Sequence, residues 1–381
     1  MSSDEKEFRR LEKKALRSLF DSMVSGGYRI IGPKIANNAI VYRELSSIDD
    51  LPKGWIDVQD GGSYHLEQTG GEAYFGYVVG PDSPKRFLFP PERTLWSAEK
   101  NGKDINITIE QDEYPKTALL GVRPCELAAV AIQDKIFAEG EYVDPTYKAR
   151  RDNTLLIAVN CTRAGNTCFC ASMGTGPRAG SGYDIALTEV GGDNGYFIVE
   201  SGSNEGDDIV NSLSLNPATS HEIDTAENAV NETVRCMGRT LETSGLKELL
   251  QSEFNSPRYD DIALRCLACG NCTLVCPTCF CSTVIDTTDL SGNRSERIRR
   301  WDSCFNIEHS YIHGGYIRGS IMARYRQWIT HKLVNWIDQF GMAGCVGCGR
   351  CITWCPVGID ITEEAGAIRK SVKENVKVNK G

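Results

Sequence analysis

Long apolar runs are missing from this chain: none approaches the about 18 residues that a membrane-spanning helix needs. An N-terminal apolar core is missing as well. Met1 to Phe20 is dense in Lys, Arg, Glu and Asp, which excludes a secretory signal peptide and implies a soluble, cytoplasmic protein. Nor is there a basic balance. Lys and Arg total 42 against 51 Asp and Glu, a net charge of −9 that argues against a nucleic-acid partner. No Walker loop, nucleophile–base constellation or clear dinucleotide fingerprint is present. Gly174-Thr-Gly176-Pro-Arg-Ala-Gly180-Ser-Gly182 imitates the last of these, but Pro177 interrupts it and no strand leads directly into it. A loop around a cluster, a flavin edge, or plain turn chemistry fits that stretch equally well.

What the chain has is cysteine, sixteen in 381 residues. In a reducing compartment these read as thiolate ligands, not disulfides. Cys266-Leu-Ala-Cys269-Gly-Asn-Cys272-Thr-Leu-Val-Cys276-Pro277 and Cys345-Val-Gly-Cys348-Gly-Arg-Cys351-Ile-Thr-Trp-Cys355-Pro356 are both C-x2-C-x2-C-x3-C-P, the ferredoxin run for a [4Fe–4S] cluster. Three closely spaced thiolates wrap one cluster, and the fourth reaches the other. One cluster is therefore assigned Cys266, Cys269, Cys272 and Cys355, and the second Cys345, Cys348, Cys351 and Cys276. Structural zinc would use two C-x2-C pairs, without the third cysteine and the Cys-Pro written twice.

Eight cysteines remain. Thr117–Val122 reads as a strand that turns at Arg123-Pro-Cys125-Glu126 into a helix, and Leu155–Val159 as a second buried strand ending at Asn160-Cys161. Strand ends of open α/β sheets present ligands. Thr167-Cys168-Phe-Cys170 follows, and recurs as Thr278-Cys279-Phe-Cys281. Cys125, Cys161, Cys168 and Cys170 are the candidate set for a third [4Fe–4S] cluster; the alternative draws on Cys279, Cys281 and Cys304. Cys236, in a helical stretch, is read as structural, as are His309 and His313, which could share a helix face. Arg294, Arg297, Arg299, Arg300, Arg318, Arg324, Arg326 and Lys332 make the segment between the runs basic, a solvated face that could also offset cluster charge.

Periodicity predicts a helix over residues 4–24, strands at 28–31, 39–42 and 73–79, a strand end at 86–91, and a hairpin of 183–189 with 196–200 around Gly191–Gly195. Ser201–Asp208 reads as a linker, and 225–254 and 318–340 as helices. The fold expected is an α/β (α+β) N-terminal domain, residues 1–205, with the third cluster. A mainly helical ferredoxin-like domain with two [4Fe–4S] clusters follows at 225–381.

Gly-Val-Arg-Pro-Cys125-Glu126, Cys161 with Cys168-Phe-Cys170, Ser172-Met-Gly, Cys276-Pro-Thr-Cys279-Phe-Cys281, Trp301-Asp-Ser-Cys304 and Cys345-Val-Gly-Cys-Gly-Arg-Cys351 together resemble the iron–sulfur (beta) subunit of cytoplasmic NiFe sulfhydrogenases. They also resemble the iron–sulfur subunit of anaerobic sulfite reductases. The resemblance spans most of residues 117–360. It implies an electron-transfer subunit that relays electrons between a flavin subunit handling NAD(P)H and a catalytic subunit of the NiFe hydrogenase or sulfite reductase type. Two other readings stand beside it: a sulfur- or disulfide-reducing enzyme with a catalytic cluster of its own, and a flavin-binding subunit.

Overall fold

Apolar segments dictate strands here, but long-range pairing decides where they begin. The computed structural model describes residues 7–78, 80–109, 112–192 and 195–378. The first element is a strand, β1 (Phe8–Glu12), and helix α1 starts only at Leu16 (Leu16–Ser25). The single helix expected over 4–24 is thus wrong over 8–12, and residues 4–6 lie outside the described residues. Phe8–Glu12 finds five antiparallel partners in 196–200 and puts Leu11 fully into the core, which a lone helical turn cannot match. β2 (Arg29–Ala36) and β3 (Ala39–Glu44) turn at Asn37 and Asn38, both at positive φ, a conformation asparagine tolerates.

A hairpin of β4 (Trp55–Asp60) and β5 (Ser63–Gln68) comes next. Residues 73–78, expected as a strand, are irregular, and Val79 lies outside the described residues. Side chains have taken this segment's backbone groups. The Glu189 carboxylate accepts from Tyr74 N (2.9 Å) and Phe75 N (2.8 Å), and Asp57 accepts from Val78 N (2.7 Å). Arg123 donates to the carbonyls of Phe75 (3.0 Å) and Tyr77 (2.6 Å). With its donors and acceptors satisfied, the segment gains nothing from a ladder. The strand end expected at 86–91 is occupied instead by a short helix, α2 (Lys85–Leu88).

β6 (Glu92–Asn101) and β7 (Asp104–Ile109) form a further hairpin. β8 (Thr117–Val122), buried at every position, leads through Arg123 into α3 (Pro124–Phe137). α4 (Pro145–Asp152), β9 (Thr154–Val159), β10 (Ile185–Val190) and β11 (Tyr196–Ser201) follow. The hairpin of β10 and β11 is as expected, with Asp193 and Asn194 of its turn outside the described residues. The expected linker is not one. Ser201 closes β11, and Ser203 caps α5 (Asn204–Ser212) by accepting from Gly206 N at 3.1 Å. With β12 (Asn216–Pro217), the large sheet runs β12-β1-β11-β10-β9-β8-β2-β3. Its centre, β2, β8, β9 and β10, is parallel. Such strands need cover on both faces: α1 and α5 supply one, α3 and α4 the other.

The second half contains α6 (Ser220–Arg235), α7 (Leu246–Ser252), α8 (Arg258–Arg265) and α9 (Asn271–Leu274). It is not helical throughout. The β-branched run of β13 (Ser282–Thr288) pairs with β14 (Arg294–Trp301), and β14 pairs with β6 in a sheet ordered β13-β14-β6-β7. One sheet therefore draws on both halves of the chain. His309 and His313 share no helix; they flank and join a two-residue hairpin, β15 (Tyr311–Ile312) and β16 (Gly315–Tyr316). α10 (Ile321–Thr330) passes through a π-helical turn, His331–Asn335, into α11 (Trp336–Phe340). α12 (Arg350–Thr353) and α13 (Ile361–Val378) complete the chain order. A second core around Leu250, Tyr259, Ile262, Trp328 and Ile329 packs α7, α8 and α10 against α13, beside the cysteine runs.

Candidate metal centres

Each ferredoxin run is a loop ending in one helical turn, α9 or α12. The residue before each turn is glycine in the left-handed region, Gly270 at φ 78° and Gly349 at φ 75°. A first cavity, about 420 Å³, is lined by Cys266, Cys269, Cys272 and Cys355, with Cys351 at its edge and Phe305, Tyr325 and Trp328 as apolar walls. A second, about 310 Å³, is lined by Cys276, Cys345, Cys348 and Cys351, with Phe169 and Lys332. The fourth cysteine of each run thus faces the cavity of the other run, and Cys351 touches both. Among the described residues no three His, Cys, Asp or Glu side chains close on a single ion. The thiols ring cavities instead, which suits a cluster better than zinc.

Donors converge on these sulfurs. Ala268 N donates to Cys266 Sγ (3.4 Å), Ile359 N to Cys355 Sγ (3.3 Å), and Lys332 Nζ to Cys276 Sγ (3.2 Å). Burial pushes the Cys345 thiol up to about 12 and holds Cys272 and Cys351 well above the usual range. Cys276 goes the other way: a hydrogen bond from the Cys279 thiol, with Lys332 and Thr278, holds it well below that range.

The other four candidates also meet. β8 and β9 are parallel neighbours, so Cys125, in the first turn of α3, and Cys161, just past β9, leave the same edge of the sheet. Burial followed by Cys161 raises both Cys168 (to about 12) and Cys170, and burial followed by Cys170 raises Cys125. The glycine-rich loop closes on them. A side chain at Gly176 would come 3.0 Å from Cys170 Sγ and 3.4 Å from Pro124, and Cys161 N donates to Pro177 O (3.0 Å).

This quartet abuts the second cavity. Phe169 N donates to Gly347 O (2.8 Å), Thr175 Oγ1 to Val346 O (2.6 Å), and the hydroxyls of Thr167 and Thr353 are 2.7 Å apart. Only glycine permits the approach: a Cβ at Gly347 would lie 2.6 Å from Phe169 O, and one at Gly349 would overlap Thr167 O. A buried ion pair locks the junction, Arg350 of the second run with Glu126, the residue after Cys125. Glu126 also accepts from Tyr42 Oη (2.6 Å) and Arg123 N (2.9 Å), while Arg350 Nε donates to Gly80 O (2.9 Å).

Of the remaining cysteines, Cys279 is drawn to Cys276, and Cys281 bonds the His309 ring, whose Nδ1 lies 2.8 Å from Asp302 Oδ2. Cys304 packs against the helical core. Cys236 is exposed at the end of α6. Sequence reasoning passed over Lys85, Lys332, Glu126 and Arg350 as functional residues. The available signal was a charge set inside an apolar or cysteine run, as in His331-Lys-Leu-Val-Asn335.

Two thiol sets crossed between paired C-P runs define an iron–sulfur protein of the dicluster ferredoxin class, and residues 265–359 match the 4Fe-4S dicluster domain family. Over 347 residues the chain is 30% identical to sulfhydrogenase 2 subunit beta of Pyrococcus furiosus, covering 90% of this chain and 93% of that one. The chain belongs to the sulfhydrogenase beta-subunit family, as an iron–sulfur electron-transfer subunit. No solved structure matches it. No helix among the described residues is long and apolar enough to cross a membrane.

Proposed function

We propose that this subunit relays electrons through three [4Fe–4S] clusters between a flavin subunit handling NAD(P)H and a catalytic subunit of the NiFe hydrogenase or sulfite reductase type. Cys266, Cys269, Cys272 and Cys355 hold one cluster, and Cys276, Cys345, Cys348 and Cys351 hold a second. Cys125, Cys161, Cys168 and Cys170 hold a third. The α/β half, to residue 205, carries the last, and residues 225–381 the other two. Bound clusters supply one-electron transfer at tuned potentials.

The observation that carries this reading is continuity. The quartet's loop hydrogen-bonds to the second run, and the two cavities share Cys351. The protein's own residues exclude water with apolar walls, hold the loops together through Thr167, Thr353 and the Glu126–Arg350 pair, and direct N–H groups at sulfur. Cys269 is exposed, beside the outward Leu264 and Leu267, which supports that end as the outlet toward a partner. The Gly174–Gly182 loop lies on Cys170, which favours cluster-wrapping over a flavin site.

Iron and sulfide analysis of anaerobically prepared protein tests the reading. About twelve of each per chain are expected for three clusters, and about eight after Cys161→Ser with Cys168→Ser. Stoichiometric zinc in place of iron, or no loss in the double variant, would sink the assignment.

A further inference from the structure

Two ammonium groups are buried beside the second cavity. Lys332 is 5% exposed and Lys85 4%. Lys332 Nζ donates to Cys276 Sγ (3.2 Å), Thr278 Oγ1 (3.0 Å) and Gly344 O (3.4 Å). Lys85 Nζ donates to the carbonyls of Cys276 (2.9 Å) and Leu274 (3.2 Å) and lies 3.9 Å from the Trp301 ring centroid. Their partners among the described residues are a thiol, a hydroxyl, carbonyls and an indole face; no carboxylate is among them. A buried, unpaired ammonium costs several kcal/mol. The compensating negative charge must therefore come from the Cys276 side of the cavity.

The backbone is shaped to place this group. Lys332 lies in the π-helical turn His331–Asn335, a local widening that recurs at functional sites. Here it turns Lys332 inward together with Leu333 and Val334. The first cavity lacks such a group. Its walls are Phe305, Tyr325 and Trp328, and Arg324, which acts on Cys266, donates to the Phe305 carbonyl (2.9 Å), not to a sulfur. A cation donating directly to a ligating sulfur stabilises the more negative, reduced state, because hydrogen bonds to sulfur and net charge set cluster potentials.

We propose that Lys332, supported by Lys85, is a potential-setting residue. Its N–H donated to Cys276 Sγ makes the centre of Cys276, Cys345, Cys348 and Cys351 easier to reduce than that of Cys266, Cys269, Cys272 and Cys355. The middle of the relay is then where an electron rests while either end is free to exchange with a partner. This rests on the ligand sets proposed above.

The test is an anaerobic redox titration followed by EPR on the full chain and on Lys332→Met, Lys332→Gln and Lys332→Arg. Iron and sulfide are measured on the same samples. In the Met and Gln variants, the reduced-to-oxidised ratio of the Cys276 centre at fixed potential should fall about tenfold, about 59 mV for a one-electron couple. The Arg variant should stay near wild type, and the other centres should not move. Full iron content with an unchanged ratio in both uncharged variants overturns the proposal and leaves the ligand sets standing. Loss of the Cys276 centre's iron from both uncharged variants makes Lys332 a structural support and also overturns it. Wild-type protein with no signal from that centre sinks the ligand reading itself.

Discussion

Replacing Glu126 by Gln removes one charge from the junction between the quartet and the second run while keeping the shape. Glu126 and Arg350 are 0% and 3% exposed, so neither can turn to water. A Gln oxygen can still accept from Tyr42 Oη and Arg123 N, which now share one carboxylate oxygen. Its amide then presents N–H groups to the Arg350 guanidinium, donor against donor. Breaking a buried pair by removing one partner costs about 3–5 kcal/mol. The lower end, about 3 kcal/mol, is expected, because Cys348 lies close enough to Arg350 to compensate part of its charge. With an unfolding entropy of about 2.1 cal/mol/K per residue, the melting temperature should fall by about 4 °C. The assay is calorimetry of anaerobically prepared wild type, Glu126→Gln, Arg350→Met and the double variant. The double change should cost about 1–3 kcal/mol less than the sum of the single ones. A single-variant loss below about 0.5 kcal/mol, or strict additivity, would refute the claim that this pair holds the junction.

Gly349→Ala places a methyl on Thr167 O at φ 75° and should cost about 2–4 kcal/mol in thermal unfolding. Gly174→Ala, also at positive φ but with open space around it, should cost only about 1–2 kcal/mol; equal losses would show that close approach is not what selects glycine at 349. Cys276→Ala should abolish the EPR signal of the centre shared with Cys345, Cys348 and Cys351. Loss confined to the centre of Cys266, Cys269 and Cys272 would reverse the crossing.

Local chemistry was legible in the sequence wherever a short stretch decides it. The spacing of the two C-P runs announces thiolate loops, and the uniformly apolar Thr117–Val122 and Thr154–Val159 announce buried strands whose ends carry Cys125 and Cys161. Elements fixed by distant partners were not legible. Phe8–Glu12 is a strand because of 196–200, residues 73–78 are irregular because Glu189, Asp57 and Arg123 hold their backbone, and Ser282–Thr288 is a strand within an insert that reads as helical. Ser201–Asp208 reads as a linker by composition, yet Ser203 makes it the start of a helix.

The amino-acid order by itself therefore determined the supply of ligands: sixteen thiols at spacings that a compact loop converts into corners. The tertiary structure decided which loops face one another. It set Thr167–Thr175 against Val346–Thr353, brought Cys276 into the cavity of Cys345, and buried Lys332 and Lys85 beside it. Such contacts join residues up to 191 apart in the chain, as for Lys85 and Cys276. Charge acts through space, so no local pattern can show which buried cation a sulfur will meet.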